Sequence, residues 1–302
     1  MPHIPVLLTE AIDFIFNLPD GLYLDATAGQ AGHSKEIIRR LNPKGRLISI
    51  DLDPLAVQEL IQISADYSNW TIMQKNFAHI KELLQHTHQQ KFDGIIADLG
   101  ISSAALDNPQ TGLSFQSDGP LDSRFDRIGN PLTAQMLLNQ SSEKELAQIL
   151  VEYGEVPYAA KIARAIKIHK PQSTLQLAQI VEQSAQTKNK QKLLAQVFQA
   201  LRIKVNRELD NLTDFLQALP LCLNSGGRAA VIAYHSLEAR LVKDFFYRES
   251  QTCVCPPEYP LCLCHHLPSF KLLTKRAVTP SKAEIETNPR SRSAKLRSVE
   301  RL

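Results

Sequence analysis

The sequence contains no apolar run long enough to cross a membrane, and Glu10 and Asp13 interrupt its first apolar stretch. A secretory signal peptide carries a basic segment ahead of its apolar stretch, and no such segment precedes this one. We therefore expect a soluble, cytoplasmic protein that has no membrane as a partner.

Cysteine is also scarce, since the 302 residues include only five, and four of these lie together. The cluster consists of Cys253, Cys255, Cys262 and Cys264. Two close thiol pairs are able to hold a tetrahedral zinc ion, although a one-residue spacer is shorter than the usual two to four. A reduced loop without metal is the main alternative, and a disulfide is less expected in a reducing cytosol.

The nucleotide-binding signals of other families are missing as well. An apolar strand at 22–25 enters a turn of small residues, then a helix, and a second apolar strand ends at Asp51. The turn offers Gly29 and Gly32, but neither the three glycines of a dinucleotide fingerprint nor a lysine for a phosphate. S-adenosylmethionine, which has no phosphate, fits this turn better than NAD or ATP, and Asp51 is spaced to bind ribose hydroxyls. A tight turn without a ligand is the alternative.

The remainder of the first hundred residues alternates between helix and strand patterns. We predict helices at 54–64 and 80–88, and strands at 70–74 and 92–98. This alternation predicts an α/β fold with a doubly wound parallel sheet that binds ligands at the carboxyl ends of its strands. Asp51, Phe77 and Asp98 would meet at that edge.

From residue 107 the pattern changes. Turn-forming residues fill 107–130, which predicts a long loop, and helices are predicted at 143–152, 157–169, 174–185 and 190–218. Strand character returns at 228–234. We expect a discontinuous α/β domain at 1–106 and 215–302, with an all-helical substrate-recognition domain inserted at 107–214.

Charge is distributed unevenly along the chain. The overall net charge is +3, but residues 271–302 hold nine basic and three acidic side chains, a net +6 that leaves −3 for the remainder. Such a tail is typical of a nucleic-acid-binding arm, and a solvated, disordered terminus is the alternative.

Taken together, the motifs resemble the bacterial 16S ribosomal RNA cytosine-N4 methyltransferases, the MraW or RsmH type. The matching segments span nearly the whole chain: 3–10 (HIPVLLTE), 25–34, 98–103 (DLGISS), 115–124, 162–166, 198–203, 205–206 and 235–238 (HSLE). Each motif alone is weak, but their number and order make coincidence an unconvincing explanation.

The resemblance implies a Rossmann-like methyltransferase with an inserted helical domain, S-adenosylmethionine as the cofactor, and a cytosine in the decoding region of the small ribosomal subunit as the substrate. The positions that match cofactor-binding residues are Ala31, Gly32, His33, Asp51, Phe77 and Asp98.

Three positions depart from the family pattern. Glycine is usual where this chain has Ala26 and Ala31, so we expect the backbone to avoid positive φ at both. A glutamine is typical where this chain has Ala105.

For catalysis, cytosine N4 is a poor nucleophile, and a group that accepts an N4–H hydrogen bond would activate it. We predict that Asp98 does this, with Asp122 and His235 as further catalytic candidates. Helix caps and a surface ion pair are the structural alternatives for these three side chains.

Five residues are predicted to contact RNA: Arg124, Lys161, Arg164, Arg202 and Asn206. Ordinary solvated helix charge is the alternative for most of them. Two other functions remain open from the sequence, namely methylation of DNA or a small amine, and a non-enzymatic ribosome-assembly factor. The oligomeric state is open too, a homodimer included.

Overall fold

The structure is a computed structural model that describes residues 4–185, 187–256, 259 and 261–302, so His3 of the first motif lies outside it. Backbone contacts divide the chain into two compact units. Unit 1 comprises Met1–Gly100 and Asp210–Leu302, and unit 2 comprises Ile101–Leu209. The domain boundaries predicted from the sequence, after 106 and after 214, fall a few residues later than these.

Unit 1 is built on one seven-stranded sheet in the order β3-β2-β1-β4-β5-β7-β6. The strands are β1 Leu22–Asp25, β2 Arg46–Asp51, β3 Trp70–Gln74, β4 Phe92–Asp98, β5 Leu223–Ala233, β6 Phe270–Leu272 and β7 Lys295–Arg301. β1 to β5 run parallel, whereas β7 is antiparallel to both β5 and β6. This confirms the predicted Rossmann-like α/β class, and the strand order reverses between β1 and β4, where such sheets bind ligands.

The central strands β1, β2 and β4 are largely buried on both faces, which explains their continuous apolar runs, whereas the edge strands β3 and β6 are only partly buried. Alternate residues of one strand join opposite core clusters: Leu24 and Ile95 pack on one side of the sheet, Tyr23 and Ile96 on the other. Helices cover both faces, as expected for a doubly wound sheet.

Thirteen α-helices lie in the described residues. They are α1 Leu8–Ile15, α2 Gly32–Arg40, α3 Pro54–Ser64, α4 Ile80–His86, α5 Ser103–Asp107, α6 Ala134–Gln140, α7 Glu143–Gly154, α8 Ala159–His169, α9 Thr174–Ser184, α10 Lys190–Asn206, α11 Glu208–Cys222, α12 Ser236–Glu249 and α13 Lys282–Thr287. None of these helices is both long and apolar enough to cross a membrane.

Unit 2 lies between the fourth and fifth strands in sequence, and helices α5 to α10 fall within it. Helices α6 to α10 enclose their own core, in which Leu146, Ile162, Leu177 and Val197 are fully buried. The single helix predicted over 190–218 is wrong, because Arg207 has φ of 52° and separates α10 from α11. The apolar stripe continues past this residue, so periodicity alone does not reveal the break.

The basic tail is not a free arm. β7 lies inside the sheet, where Leu296 and Val299 are fully buried, and it pairs with both β5 and β6. Residues 295–301 therefore form neither a free arm nor a disordered terminus, whereas nucleic-acid binding by the basic side chains of 271–302 stays a prediction. Charged and apolar residues are interspersed along β7, and burial of the apolar side chains makes this segment a strand of the sheet.

Candidate active site

The turn after β1 holds Asp51 in a fixed orientation. Gly29 has φ of 48°, and its N–H donates to Oδ2 of Asp51 over 2.8 Å. The N–H of Asp53 donates to Oδ1 of the same carboxylate over 2.9 Å. A side chain on Gly29 would meet nothing within 4 Å, so the space above the turn is open. Each oxygen of Asp51 keeps a lone pair for a further donor.

Burial raises the pKa of Asp51 to about 6, even though the two backbone hydrogen bonds favour the charged form. At neutral pH the group is therefore mostly ionised. A partly buried carboxylate of this kind gains from hydroxyl donors, which replace the water that it has lost.

The start of α2 shows how tightly the turn is built. Ala31 precedes the helix with φ of 65°, so the expectation that its backbone avoids positive φ is wrong. The position keeps the left-handed conformation for which glycine is suited, and alanine adopts it at a cost of roughly 1–2 kcal/mol. Ala26 does not have positive φ. At Gly32 a side chain would come within 2.7 Å of Cβ of Pro5, so that glycine permits close packing.

We expect Ala31→Gly to cost much less stability than Ala28→Gly, a matched change in the same buried turn. Both substitutions lose a buried methyl group, worth about 0.8 kcal/mol, and both raise the entropy of the unfolded chain by about 0.4–1 kcal/mol. Only the change at Ala31 also relieves strain, so it should be nearly neutral while Ala28→Gly costs about 1–2 kcal/mol. Urea denaturation measures both, and equal losses would contradict the strained conformation.

Behind the turn, Asp25 ends a buried chain of hydrogen bonds. Trp70 Nε1 donates to Ser49 Oγ over 2.8 Å, the Oγ atoms of Ser49 and Ser34 are 2.8 Å apart, and Ser34 Oγ donates to Asp25 Oδ2 over 2.6 Å. Because Ser34 gives its proton to Asp25, Ser49 must donate to Ser34. Burial raises the pKa of Asp25, and this chain supplies part of the compensation for its carboxylate.

Asp98 lies at the end of β4, across the switch point from this turn. Its N–H donates to Oγ1 of Thr27 over 2.6 Å, and its Oδ2 lies 3.9 Å from Nδ1 of His33. Nε2 of His33 is 3.1 Å from the carbonyl oxygen of Val6, which can only accept, so Nε2 carries the hydrogen. The predicted cofactor residues His33 and Asp98 are thus brought together.

Tyr234 is a member of this site that the sequence reasoning missed. Its phenol hydrogen-bonds to Asp98, and burial together with the negative charge of Asp98 raises the pKa of Tyr234 far above its ordinary value. The phenol therefore stays protonated and donates to the carboxylate. Its ring also lies against Gly100, where a side chain would come within 2.8 Å of the ring. The glycine two residues after Asp98 is the available sequence signal.

Residues of the C-terminal segment support the same edge of the sheet. The N–H of Leu7 donates to Oε1 of Glu284 over 2.8 Å, and Asn288 donates to the carbonyl of Ile4 over 3.0 Å. The segment that these contacts hold includes Pro5, against Gly32, and Val6, against His33. The tail thus fixes the N-terminal segment over the predicted cofactor turn.

His235 serves as the N-cap of α12. Its Nδ1 accepts from the N–H of Glu238 over 3.4 Å, and Glu238 in turn accepts from the N–H of His235 over 3.3 Å. The ring Nε2 is 3.1 Å from Oε1 of Glu238. This arrangement gives His235 a structural role.

Phe77 follows β3 and packs edge-on against Phe215, with ring centroids 5.4 Å apart. It is partly exposed and therefore keeps some apolar surface for a ligand.

In unit 2, Asp122 is held by two arginines. Arg124 Nε donates to it over 2.7 Å, and Arg127 lies 2.9 Å from its other oxygen. Although burial alone would raise the pKa of Asp122, the hydrogen bond from Arg124 and the charge of Arg127 bring it below its ordinary value. Such a carboxylate is a weak base, and Arg124 itself is committed to this cluster.

The remaining predicted RNA contacts differ in their surroundings. Arg202 makes a bidentate pair with Glu208 at 2.8 and 2.9 Å, and buried Asn206 bonds to the backbone of Ser123 and Phe125. Lys161 and Arg164, by contrast, are exposed on the outer face of α8. These two are therefore the better placed for a phosphate.

The four clustered cysteines lie in the loop between α12 and β6, all with free thiols. Their sulfur atoms lie within 4.8 Å of one another.

The model of the MraW methylase family matches residues 1–302. A protein named ribosomal RNA small subunit methyltransferase H, from Dehalococcoides mccartyi, is 41% identical over 100% of this chain and 87% of its own length. One of the same name from Carboxydothermus hydrogenoformans is 43% identical over 99% of this chain and 98% of its own. Among solved structures, an rRNA methylase from Streptococcus thermophilus aligns with a TM-score of 0.41 at 9% identity, covering 97% of this chain and 92% of its own.

Proposed function

Because this chain belongs to the MraW methylase family, we propose that it transfers a methyl group from S-adenosylmethionine to N4 of a cytosine in 16S rRNA. On this proposal the cytosine lies in the decoding region of the small ribosomal subunit. The names of the relatives that are 41% and 43% identical over nearly the whole chain support rRNA of the small subunit as the substrate class.

The observation that carries the proposal is the placement of Asp51 and Asp98. They end β2 and β4, on either side of the point where the strand order reverses, and the turn containing Gly29 lies open between them. One carboxylate is positioned to bind a nucleoside, and the other to meet a reacting group.

The cofactor residues fit S-adenosylmethionine by their chemistry. Asp51, oriented by two backbone N–H groups, would accept the ribose hydroxyls, while the segment Ala31 to His33 would lie against the ligand and Phe77 would provide apolar contact. S-adenosylmethionine supplies, when bound, a methyl group on a positively charged sulfur.

Asp98 would prepare the cytosine for methylation. The lone pair of N4 is delocalised into the ring, and a carboxylate that accepts an N4–H hydrogen bond returns electron density to nitrogen. During transfer, Asp98 would take the proton that N4 gives up, as N4 would form a bond to the methyl carbon and the carbon–sulfur electron pair would remain on sulfur. Tyr234, which hydrogen-bonds to Asp98, is a positioning residue that fixes the carboxylate.

The target base must leave its stack to reach this edge of the sheet, so the RNA on either side needs a basic surface. Lys161 and Arg164 provide one on unit 2. A second basic surface consists of Lys282 and Arg292, which are exposed in the segment that leads into β7. The first residue of β7 pairs with the last residue of β5, at the carboxyl edge of the parallel strands.

We expect the double variant Lys161→Gln, Arg164→Gln to bind RNA more weakly and with a shallower salt dependence. Each lost phosphate contact lowers the log-log slope by roughly 0.9 on a duplex and 0.7 on a single strand. The matched control is Arg202→Gln, which removes a charge that is paired with Glu208 and should reduce stability but leave the slope unchanged. Binding titrations at several salt concentrations measure both, and an unchanged slope in the double variant would remove α8 from the interface.

Transfer of a tritiated methyl group to three substrates tests the proposed function. Small ribosomal subunits or their RNA should be labelled, whereas DNA and small amines should not. Labelling of DNA would indicate a different methyltransferase. Binding to RNA with no labelling of any substrate would indicate an assembly factor.

A further inference from the structure

The loop between α12 and β6 brings four thiols together without joining them. One pair comes from Cys253 and Cys255, the other from Cys262 and Cys264, and all four sulfur atoms lie within 4.8 Å of one another. Sulfur atoms in a disulfide are only about 2.05 Å apart. The short spacers do not prevent convergence, since each Cys-x-Cys segment turns both of its thiols toward the same point.

Two of the sulfur–sulfur distances are close to those of a tetrahedral metal centre, and the others lie within 4.8 Å. Four sulfur ligands at about 2.3 Å from zinc lie about 3.8 Å from one another. The observed distances are 3.6 Å between Cys262 and Cys264 and 3.9 Å between Cys264 and Cys253.

Backbone hydrogen bonds provide a second, independent observation. The N–H of Val254 donates to Cys264 Sγ over 3.4 Å, that of Leu263 to Cys255 Sγ over 3.4 Å, and that of Cys255 to Cys253 Sγ over 3.5 Å. Such donors stabilise negative charge on sulfur, as metal-bound thiolates require. Two of these bonds cross between the halves of the loop, so each half orients the sulfur of the other.

We propose that Cys253, Cys255, Cys262 and Cys264 bind one zinc ion. The protein supplies all four ligands, which leaves no position for water or substrate, so the site is structural. Binding requires all four sulfur atoms as thiolates and leaves a net charge of −2 on the centre, which the three N–H donors partly offset. The ion would hold the loop closed between α12 and β6, both of which belong to unit 1.

Metal content of the full-length protein tests the site directly. Protein produced in zinc-supplemented medium should contain close to one equivalent of zinc, and Cys255→Ser or Cys264→Ser should reduce this to a small fraction. The matched control is Cys222→Ala, which changes the fifth cysteine. That thiol is buried in the core, where burial raises its pKa to about 11, and its loss should leave the zinc content unchanged.

Cobalt substitution adds a spectroscopic readout of thiolate coordination. The wild type and Cys222→Ala should both show the strong visible bands of tetrahedral cobalt thiolate, and the two serine variants should lose them. Wild-type protein that contains less than a tenth of an equivalent of zinc and shows no such bands would overturn the proposal. A disulfide between any two of the four cysteines in the freshly purified protein would overturn it as well.

Discussion

Replacing Asp98 by asparagine is expected to slow methyl transfer by about 10²-fold or more, which is the range of a positioned acid–base group. Asparagine preserves the size of the side chain, but it removes the charge and presents an N–H₂ group where N4 needs an acceptor. Single-turnover methylation at saturating RNA and S-adenosylmethionine separates this chemical step from binding. Affinity for RNA should change little.

The matched control for this substitution is Asp122→Asn in unit 2. It removes one carboxylate charge as well, but from a group that is already paired with Arg124 and Arg127, so we expect a loss of stability with a nearly normal single-turnover rate. If Asp98→Asn retains the wild-type rate while Asp122→Asn loses it, the catalytic assignment moves to Asp122.

Replacing Asp51 by alanine should weaken binding of S-adenosylmethionine by about 10- to 150-fold for each ribose hydrogen bond lost, since a hydrogen bond to a charged group contributes about 1.5–3 kcal/mol. Asp53→Ala is the control, because Asp53 lies two residues away and caps α3 through the N–H of Leu55. It should cost about 1 kcal/mol of stability without changing affinity. Calorimetry measures both, and equal affinities for Asp51→Ala and the wild type would remove Asp51 from the site.

The raised pKa of Asp51 adds a pH dependence with a definite sign. Burial raises the pKa of Asp51 in the folded, ligand-free protein from 3.8 to about 6, so the folded state favours the protonated carboxyl. The stabilisation that protonated Asp51 gives to the fold is fully present below pH 3.8 and is lost as the pH rises through 6. The ribose hydroxyls favour the ionised form, so affinity should increase between pH 5 and pH 7. Asp51→Asn should abolish this step.

The sheet was largely predictable, because local signals and tertiary structure agree there. The strands at 70–74 and 92–98 and the helix at 54–64 occur as predicted. Buried parallel strands read as apolar runs, and Asp53 followed by proline marks the start of α3.

The features that were missed depend on contacts distant in sequence. The left-handed backbone at Ala31 is imposed by the packed turn, and the pairing of β7 with β5 joins residues about seventy positions apart. Tyr234 could be read as the last residue of a strand, and only the fold brings its phenol to Asp98. Helix and strand propensities depend on neighbours along the chain, whereas the conformations and contacts of these residues depend on residues that are close only in space.

Nucleoside mass spectrometry of 16S rRNA identifies the atom that receives the methyl group. Small ribosomal subunits that lack the modification are incubated with the protein and S-adenosylmethionine, and the decoding-region fragment is then digested to nucleosides. We expect one additional methyl group per fragment, carried on N4 of a cytidine and absent at short times when Asp98→Asn replaces the wild type. A methyl group on carbon 5 of the cytosine, on a ribose or on another base would contradict this expectation.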